Sequence, residues 1–115
     1  MQTANTQLAT REKPVIIIGT GALARQVAEV LHRLDTVIYG FLSMPDAGDL
    51  PETYNEVPIL GSIAHKAYRK MLANEKMDYF IAIEDTPSRT ALANELFKLT
   101  ERLPITIIAP SVAIA

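Results

Sequence analysis

The sequence predicts an α/β fold: a three-layer, Rossmann-like domain with a small, mainly parallel sheet and helices on both faces. The first observation is a continuous β-branched run at residues 15–18, which is typical of a strand covered on both faces. The second is a glycine turn at residues 19–21, followed by apolar side chains at helical spacing over residues 22–34. The third is that further strands alternate with helices along the chain, which indicates right-handed crossovers and a parallel sheet.

The first strand, the turn and the first helix form one unit. Pro14 can only precede the strand, because it has no N–H group to donate to a ladder. Gly19 and Gly21 are predicted to adopt backbone angles that residues with a Cβ resist, and Ala24 is small enough for the helix to pack close to the strand. The free N–H groups at the helix start favour phosphate or another anion, although a purely structural turn gives the same pattern.

Length and charge restrict the class of protein. The 115 residues suit one domain, which we place at residues 14–115, behind a flexible polar tail at residues 1–13. With 11 basic and 13 acidic residues, the chain has no cationic surplus for a nucleic-acid backbone or an anionic membrane. The sequence has no cysteine, no apolar signal-peptide core and no apolar stretch long enough to cross a bilayer, so we expect a soluble cytoplasmic protein.

The elements after the first helix follow from local composition. Residues 37–42 are rich in β-branched and aromatic side chains and predict a second strand. Residues 43–55 contain prolines, a glycine and three acidic residues, which predicts a long exposed loop. Residues 57–60 predict an edge strand, since Pro58 cannot donate to a ladder.

The second half of the chain supplies two helices and two strands. Ser62 is the predicted N-cap of a helix that ends near Leu72. The remaining predicted elements are a strand at residues 79–83, a helix capped by Thr86 or Ser88 that reaches about Arg102 and buries Leu92, Leu96, Leu99 and Leu103, a final strand at residues 105–108, and an extended tail at residues 109–115.

The predicted order of strands places a site at one edge of the sheet. We expect the first strand at the centre, the second strand on one side of it, and the strands near residues 79 and 105 on the other side. Ligands of such sheets bind outside the carboxyl ends of the strands, where the strand order reverses. Three segments meet at that edge: residues 19–23, residues 43–46 and residues 84–89.

The charged residues of these segments allow more than one interpretation. Glu84 and Asp85 are adjacent and diverge from an extended backbone, so they make a poor general acid and base pair and can equally form a solvated loop. Arg89 can reach a phosphate or carboxylate at the same edge, or pair with Asp85. Arg25 opposes the helix dipole, which is compatible with an anion nearby.

Catalytic and metal sites are not indicated. A nicotinamide-binding turn is followed after about 20 residues by an acid at the end of the second strand, and the nearest one here is Asp46, beyond Pro45. His32 and His65 lie far apart in sequence without ligand spacing. We therefore expect both histidines to be solvated, with no metal site and no Ser–His–Asp arrangement.

Five stretches carry a resemblance to a known family: IIIGTGALARQVAEVL, VIYGFLS, VPILGS, YFIAIEDTPSR and ITIIAPSVAIA. They resemble the amino-terminal, PglD/NeuD-type domain of the sugar O- and N-acyltransferases of the left-handed β-helix class, which includes the bacillosamine and sialic acid acetyltransferases. In that family the small domain binds a nucleotide-sugar, and a hexapeptide-repeat β-helix supplies the acetyl-CoA site, the trimer contacts and the catalytic histidine. The likeness covers nearly all of residues 14–115, and the chain stops where we expect the first coil of the β-helix.

The resemblance implies substrate-binding residues by position: Gly19, Thr20, Gly21, Ala22, Leu23, Ser43, Glu84, Asp85 and Arg89. Asp85 and Arg89 match the family's AIGD turn and the arginine after it, and Pro110 and Ser111 match the motif that leads into the β-helix. Five positions depart from the family pattern: Ala22 replaces a glycine, Leu23 a histidine, Ser43 and Met44 a pair of aspartates, Glu84 a glycine, and Ala109 a histidine.

The function implied by the resemblance is binding of a UDP- or CMP-sugar by a domain without catalytic residues and without a cofactor of its own. Acetyl-CoA and trimer assembly belong, on this interpretation, to the β-helix. One alternative is an NAD- or CoA-binding Rossmann domain of a protein that modifies sugar nucleotides. Another is a degenerate domain that serves protein contacts only.

Overall fold

The computed structural model describes residues 13–105, 107–109 and 112–114. A five-stranded sheet forms its centre, in the spatial order β3-β4-β2-β1-β5. Its strands are β1 (Val15–Ile18), β2 (Ile38–Ser43), β3 (Thr53–Tyr54), β4 (Val57–Ser62) and β5 (Asp78–Ile81). Three helices accompany the sheet: α1 (Ala22–Arg33), α2 (Lys66–Met71) and α3 (Thr86–Thr100).

Most of the sheet is parallel, as predicted. Strand β1 pairs in parallel with β2 on one side and with β5 on the other, so that Ile17 lies opposite Phe41 and Phe80. Strand β4 pairs in parallel with β2, and only the two-residue β3 runs antiparallel. The predicted neighbours of the first strand are therefore confirmed, but β2 and not β1 holds the middle position of the sheet. The parallel strands end together at one edge.

The two faces of β1 are buried under different helices, which confirms the three layers. Val15 and Ile17 belong to one core cluster, together with residues of α1 such as Val27. Ile16 and Ile18 belong to the other cluster, together with Leu92 and Leu96 of α3 and with residues that flank α2. All four β1 side chains are fully buried, which explains why this strand carries no polar alternation.

The prediction of an edge strand at residues 57–60 is wrong, because β4 lies between β2 and β3. Pro58 is tolerated there, since pairing with β2 begins one residue later, at Ile59. Strand β3 also lies inside the segment predicted as a loop. It joins β4 through a tight turn whose central residues, Asn55 and Glu56, have φ angles of 47° and 69°.

The prediction that a strand at residues 105–108 extends the main sheet is also wrong. The amide of Ile105 donates to the carbonyl of Tyr79 at 2.9 Å, but no further strand is added to β5 in the described residues. The chain instead forms β6 (Ile107–Ala109), which pairs antiparallel with β7 (Val112–Ile114) in a separate sheet. A partner only a few residues away needs little loop closure, which favours this local pairing over the predicted extended tail.

The predicted starts and ends of the later helices need correction as well. Helix α2 starts at Lys66, and its N-cap is His65. Ser62 instead ends β4, and its hydroxyl accepts a hydrogen bond from the amide of Ala64 at 3.1 Å. The N-cap of α3 is Asp85, rather than Thr86 or Ser88. Of the four leucines predicted to be buried, Leu99 and Leu103 are 51% and 71% exposed, since one lies in the last turn of α3 and the other beyond the helix.

Arg102 connects the end of α3 to the segment between α2 and β5. Its guanidinium donates to the carbonyls of Leu72 and Asn74 at 2.8 and 2.7 Å and to that of Met77, and it pairs with Asp78 at 3.3 Å. One side chain thereby satisfies the carbonyls that follow α2 and holds the start of β5. None of the helices among residues 13–105 is both long and apolar enough to span a membrane.

Of the predicted polar tail, only Lys13 lies within the described residues.

Candidate functional site

An open cleft of about 360 Å³ lies at the carboxyl ends of β1, β2 and β5. One wall is the glycine turn, the second is the loop after β2, and the third is the turn after β5. Its lining residues are Gly19, Thr20, Gly21, Leu23, Met44, Ala47, Leu50, Ala82, Ile83 and Glu84. The cleft therefore occupies the edge at which the sequence predicts a ligand.

Gly19 is required by packing. Its φ angle is +125°, and a Cβ at this position would lie 2.4 Å from the carbonyl oxygen of Ala82. Its amide donates to the carbonyl of Leu42 at 2.7 Å, and the amide of Ala82 donates to Ile18 at 2.7 Å. Gly19 thus lets the ends of β1, β2 and β5 approach each other closely.

Gly21 has no such structural requirement. Its φ and ψ angles are −86° and −162°, which any residue adopts, so the prediction of unusual backbone angles is confirmed for Gly19 and wrong for Gly21. A Cβ at Gly21 would meet nothing within 4 Å. Gly21 is the N-cap of α1 and lines the cleft, and the first amides of this helix have no side-chain cap.

Tyr54 braces the turn from outside the cleft. Its hydroxyl donates to the carbonyl of Thr20 at 2.9 Å, and its ring meets Phe41 edge-on with centroids 5.4 Å apart. The guanidinium of Arg25 lies 5.1 Å from the Tyr54 ring centroid, so Arg25 interacts with this ring. Sequence reasoning missed Tyr54, although Asn55 beside it is a turn residue that could have indicated a hairpin.

The turn after β5 contains three of the predicted site residues, and their environments differ. Glu84 is exposed and lines the cleft. Asp85 caps α3 by accepting the amide of Ser88 at 2.9 Å. The hydrogen bonds that Ser88 donates from its side chain and its backbone lower the pKa of Asp85 below its ordinary value. The carboxylate of Asp85 is thus engaged by its own helix.

Arg89 is also engaged locally. Its guanidinium donates to the carbonyl of Ile83 at 3.2 Å and, through the other terminal nitrogen, lies 3.4 Å from the hydroxyl of Thr86. These contacts hold the turn after β5. No ion pair between Arg89 and Asp85 is present in the described part of the chain.

The end of β2 supplies a different residue to the cleft lining from the one predicted. Ser43 is buried, and its hydroxyl donates to the carbonyl of Gly61 at 3.2 Å, whereas the next residue, Met44, lines the cleft.

Ala22 is the first residue of α1, and it is exposed and lies outside the cleft lining. The predicted residues that the cleft brings together are Gly19, Thr20, Gly21, Leu23 and Glu84, and those outside its lining are Ala22, Ser43, Asp85 and Arg89. Their role in binding stays a prediction.

The charge of the cleft is unusual for an anion site. Glu84 is the single charged side chain in its lining, and the remaining walls are backbone, small or apolar. Any anion bound here would be held by amides rather than by a cation. Within residues 13–105, no group of three His, Asp or Glu side chains could hold a metal ion.

A larger groove, of about 620 Å³, lies between α2 and α3, away from the glycine turn. Arg69 crosses it and pairs with Glu95, and its Nε donates to the carbonyl of Ile63 at 2.8 Å. We assign the candidate site to the smaller cleft, because parallel sheets of this type bind ligands at the carboxyl ends of their strands.

In a comparison with protein families, the family model described as the PglD N-terminal domain matches residues 14–96. The matched span is more than half of the chain and includes all three walls of the cleft. No curated protein matches the sequence.

Proposed function

The chain belongs to the PglD N-terminal domain family, found in PglD/NeuD-type acetyltransferases, and on this premise we propose that it is the substrate-binding domain of a sugar acyltransferase. Its ligand is a nucleotide-sugar of the UDP or CMP class, bound in the cleft at the glycine turn. The observation that supports this most is the open space at Gly21, where the fold leaves amides uncapped and no side chain intrudes.

The chemistry of the three walls suits different parts of such a ligand. The amides at the start of α1 are suited to a phosphate oxygen, because they are free donors at the positive end of the helix dipole. Leu23, Met44 and Leu50 offer apolar contact to a ring. Glu84 repels phosphate and is suited to accept hydrogen bonds from hydroxyl or N–H groups, so we place it beside the uncharged part of the ligand.

We propose that the acyl transfer itself takes place outside this cleft. The cleft holds one carboxylate and no histidine, and a single exposed acid is a poor basis for proton transfer at both ends of a reaction. Acetyl-CoA, the catalytic histidine and the trimer contacts are then supplied by a hexapeptide-repeat β-helix. We place such an enzyme in the cytoplasm, where nucleotide-sugars and acetyl-CoA serve as substrates.

The NAD alternative lacks its recognition residue. Ribose recognition at this edge uses an acid at the end of the second strand, but here that position holds the buried Ser43 and then Met44. NAD and coenzyme A nevertheless serve as comparison ligands in the test.

Calorimetric titration of the protein with UDP-N-acetylglucosamine, a CMP-sugar, NAD and coenzyme A tests the proposal. We expect binding of at least one sugar nucleotide and its loss in Gly21→Val, whose side chain enters the open space at Gly21, where a Cβ meets no atom within 4 Å. The control is Ala91→Val, which introduces a valine on the exposed side of α3. Binding of NAD alone, or survival of sugar-nucleotide binding in Gly21→Val, contradicts the proposal, and absence of binding to all four ligands favours an interaction domain.

A further inference from the structure

Tyr54 lies outside the cleft, yet it is bonded to one of its walls through the 2.9 Å contact between its hydroxyl and the Thr20 carbonyl. We propose that Tyr54 is a positioning residue for ligand binding: it fixes the peptide group between Thr20 and Gly21 so that the N–H of Gly21 faces the ligand. The inference rests on the proposed function, since it assigns a role within the same site.

The direction of that N–H follows from the planarity of the peptide. In a trans peptide the carbonyl and the N–H point to opposite sides, and the described chain contains only trans peptides. Because the Thr20 carbonyl points to Tyr54, the N–H of Gly21 points away from Tyr54. That N–H has no hydrogen-bond partner among the described residues, and the cleft lies beside it while Tyr54 is absent from the cleft lining.

The peptide between Thr20 and Gly21 needs an external restraint. Its orientation is set by ψ of Thr20 and φ of Gly21, and glycine adopts positive and negative φ about equally well. A rotated peptide would turn the carbonyl oxygen toward the ligand and repel an anion. The hydroxyl of Tyr54 holds the carbonyl on the outer side and thereby keeps the donor on the inner side.

The Tyr54 side chain is itself well fixed. Its ring packs edge-on against Phe41, which is fully buried, and Arg25 lies over the ring. Its backbone is in β3, opposite Val57, next to a tight turn. The hydroxyl therefore reaches Thr20, 34 residues away in sequence, from a position that the sheet determines.

Tyr54→Phe tests the inference, because it keeps the ring contacts and removes only the donor. The matched control is Tyr39→Phe, which removes the hydroxyl of an exposed tyrosine in β2. Without any ligand, we expect the ¹³C resonance of the Thr20 carbonyl and the ¹H–¹⁵N resonance of Gly21 to shift and broaden in Tyr54→Phe, and to stay unchanged in the control. With UDP-N-acetylglucosamine, we expect the affinity to fall by about fivefold to tenfold, which corresponds to the loss of one positioned hydrogen bond.

The outcomes separate the two proposals. If the unmodified protein binds UDP-N-acetylglucosamine and Tyr54→Phe binds it equally well, the positioning role of Tyr54 is wrong and the proposed function stands. If the Gly21 and Thr20 resonances of Tyr54→Phe coincide with those of the unmodified protein, the positioning role is likewise wrong, whatever the affinity. If the unmodified protein binds no sugar nucleotide, the proposed function is wrong, and the positioning role that rests on it is wrong with it.

Discussion

Two helices start at the same edge of the sheet and use their first turns in opposite ways. Helix α1 follows β1 and α3 follows β5, and these strands are parallel neighbours. The first turn of α3 is closed by the carboxylate of Asp85, which accepts the amide of Ser88. The first turn of α1 starts at Gly21, with no side-chain cap and with open space where a Cβ would stand.

The difference separates a structural helix start from a candidate binding one. A carboxylate at the N-cap satisfies free amides and complements the helix dipole, so α3 carries its own anion. Helix α1 has no acidic residue in its first turn and leaves its amides to solvent or to a ligand. The chain therefore places a helix start capped by a carboxylate beside one without a side-chain cap, and substitutions can exchange the two.

The largest effect on stability is expected for substitution of Gly19, because the turn has no room for a side chain at this position. Gly19→Ala places a Cβ 2.4 Å from the Ala82 carbonyl at a φ of +125°, so we expect a loss of about 3 kcal/mol in the free energy of unfolding. Urea denaturation measures it. Gly21→Ala is the control, with a loss of less than about 1 kcal/mol because its Cβ meets open space. Equal losses for the two variants would refute the assigned difference between these glycines.

Gly21→Asp converts the start of α1 into a copy of the start of α3. We expect the free energy of unfolding to rise by about 0.5 kcal/mol, because the new carboxylate caps the helix. We also expect calorimetric titration to show no binding of UDP-N-acetylglucosamine, since the anion position is filled. Gly21→Asn, which caps without charge, separates occupation of the space from charge repulsion. Undiminished binding by the Asp variant would show that the ligand does not use this turn.

Asp85→Ala makes the opposite change and opens the start of α3. The amide of Ser88 loses its acceptor, so we expect the Tm in thermal unfolding to fall, though by less than in Gly19→Ala. Glu75→Ala, in the segment between α2 and β5 and outside the cleft lining, is the control for loss of an exposed carboxylate. Affinity for UDP-N-acetylglucosamine should be the same in both variants as in the unmodified protein. A selective loss of affinity in Asp85→Ala would place Asp85 in the binding site after all.

The smallest effect is the pH dependence of the Asp85 cap. Its pKa in the folded protein lies below the ordinary value of 3.8, so its contribution to stability is present above pH 3.8 and is lost as the pH falls through the folded pKa. Asp85→Asn retains a capping oxygen that does not titrate there. We expect the Tm of the unmodified protein to fall more than that of the variant between about pH 5 and pH 2. Parallel curves would mean that the cap carries no charge-dependent stabilisation.

The sequence predicts the unit of β1, turn and α1 nearly to the residue, because its signals are local. A β-branched run and a 3.6-residue apolar period need no knowledge of distant partners. The hairpin of β3 and β4 and the pairing of β6 with β7 depend on which segments meet in space. For that reason the sequence predicts Pro58 in an edge strand and residues 105–108 in the main sheet, and the structure differs at both places.

The candidate site shows the same division. The glycine turn is evident in the sequence, and so is the edge at which its neighbours meet. Two glycines in one turn look alike in a sequence, however, and only the positions of neighbouring atoms separate the packing role of Gly19 from the open space at Gly21. The target of the Tyr54 hydroxyl lies 34 residues earlier, beyond the reach of any local pattern.

The contacts of Arg102 bear on where this domain can be cut. The family match ends at residue 96, but Arg102 holds three carbonyls after α2 and pairs with Asp78, and the amide of Ile105 bonds to Tyr79. A protein trimmed to the matched span would lose both ties and leave the carbonyls of Leu72, Asn74 and Met77 without the donors that Arg102 supplies. We therefore expect the smallest unit that folds on its own to extend at least to Ile105, nine residues beyond the end of the family match.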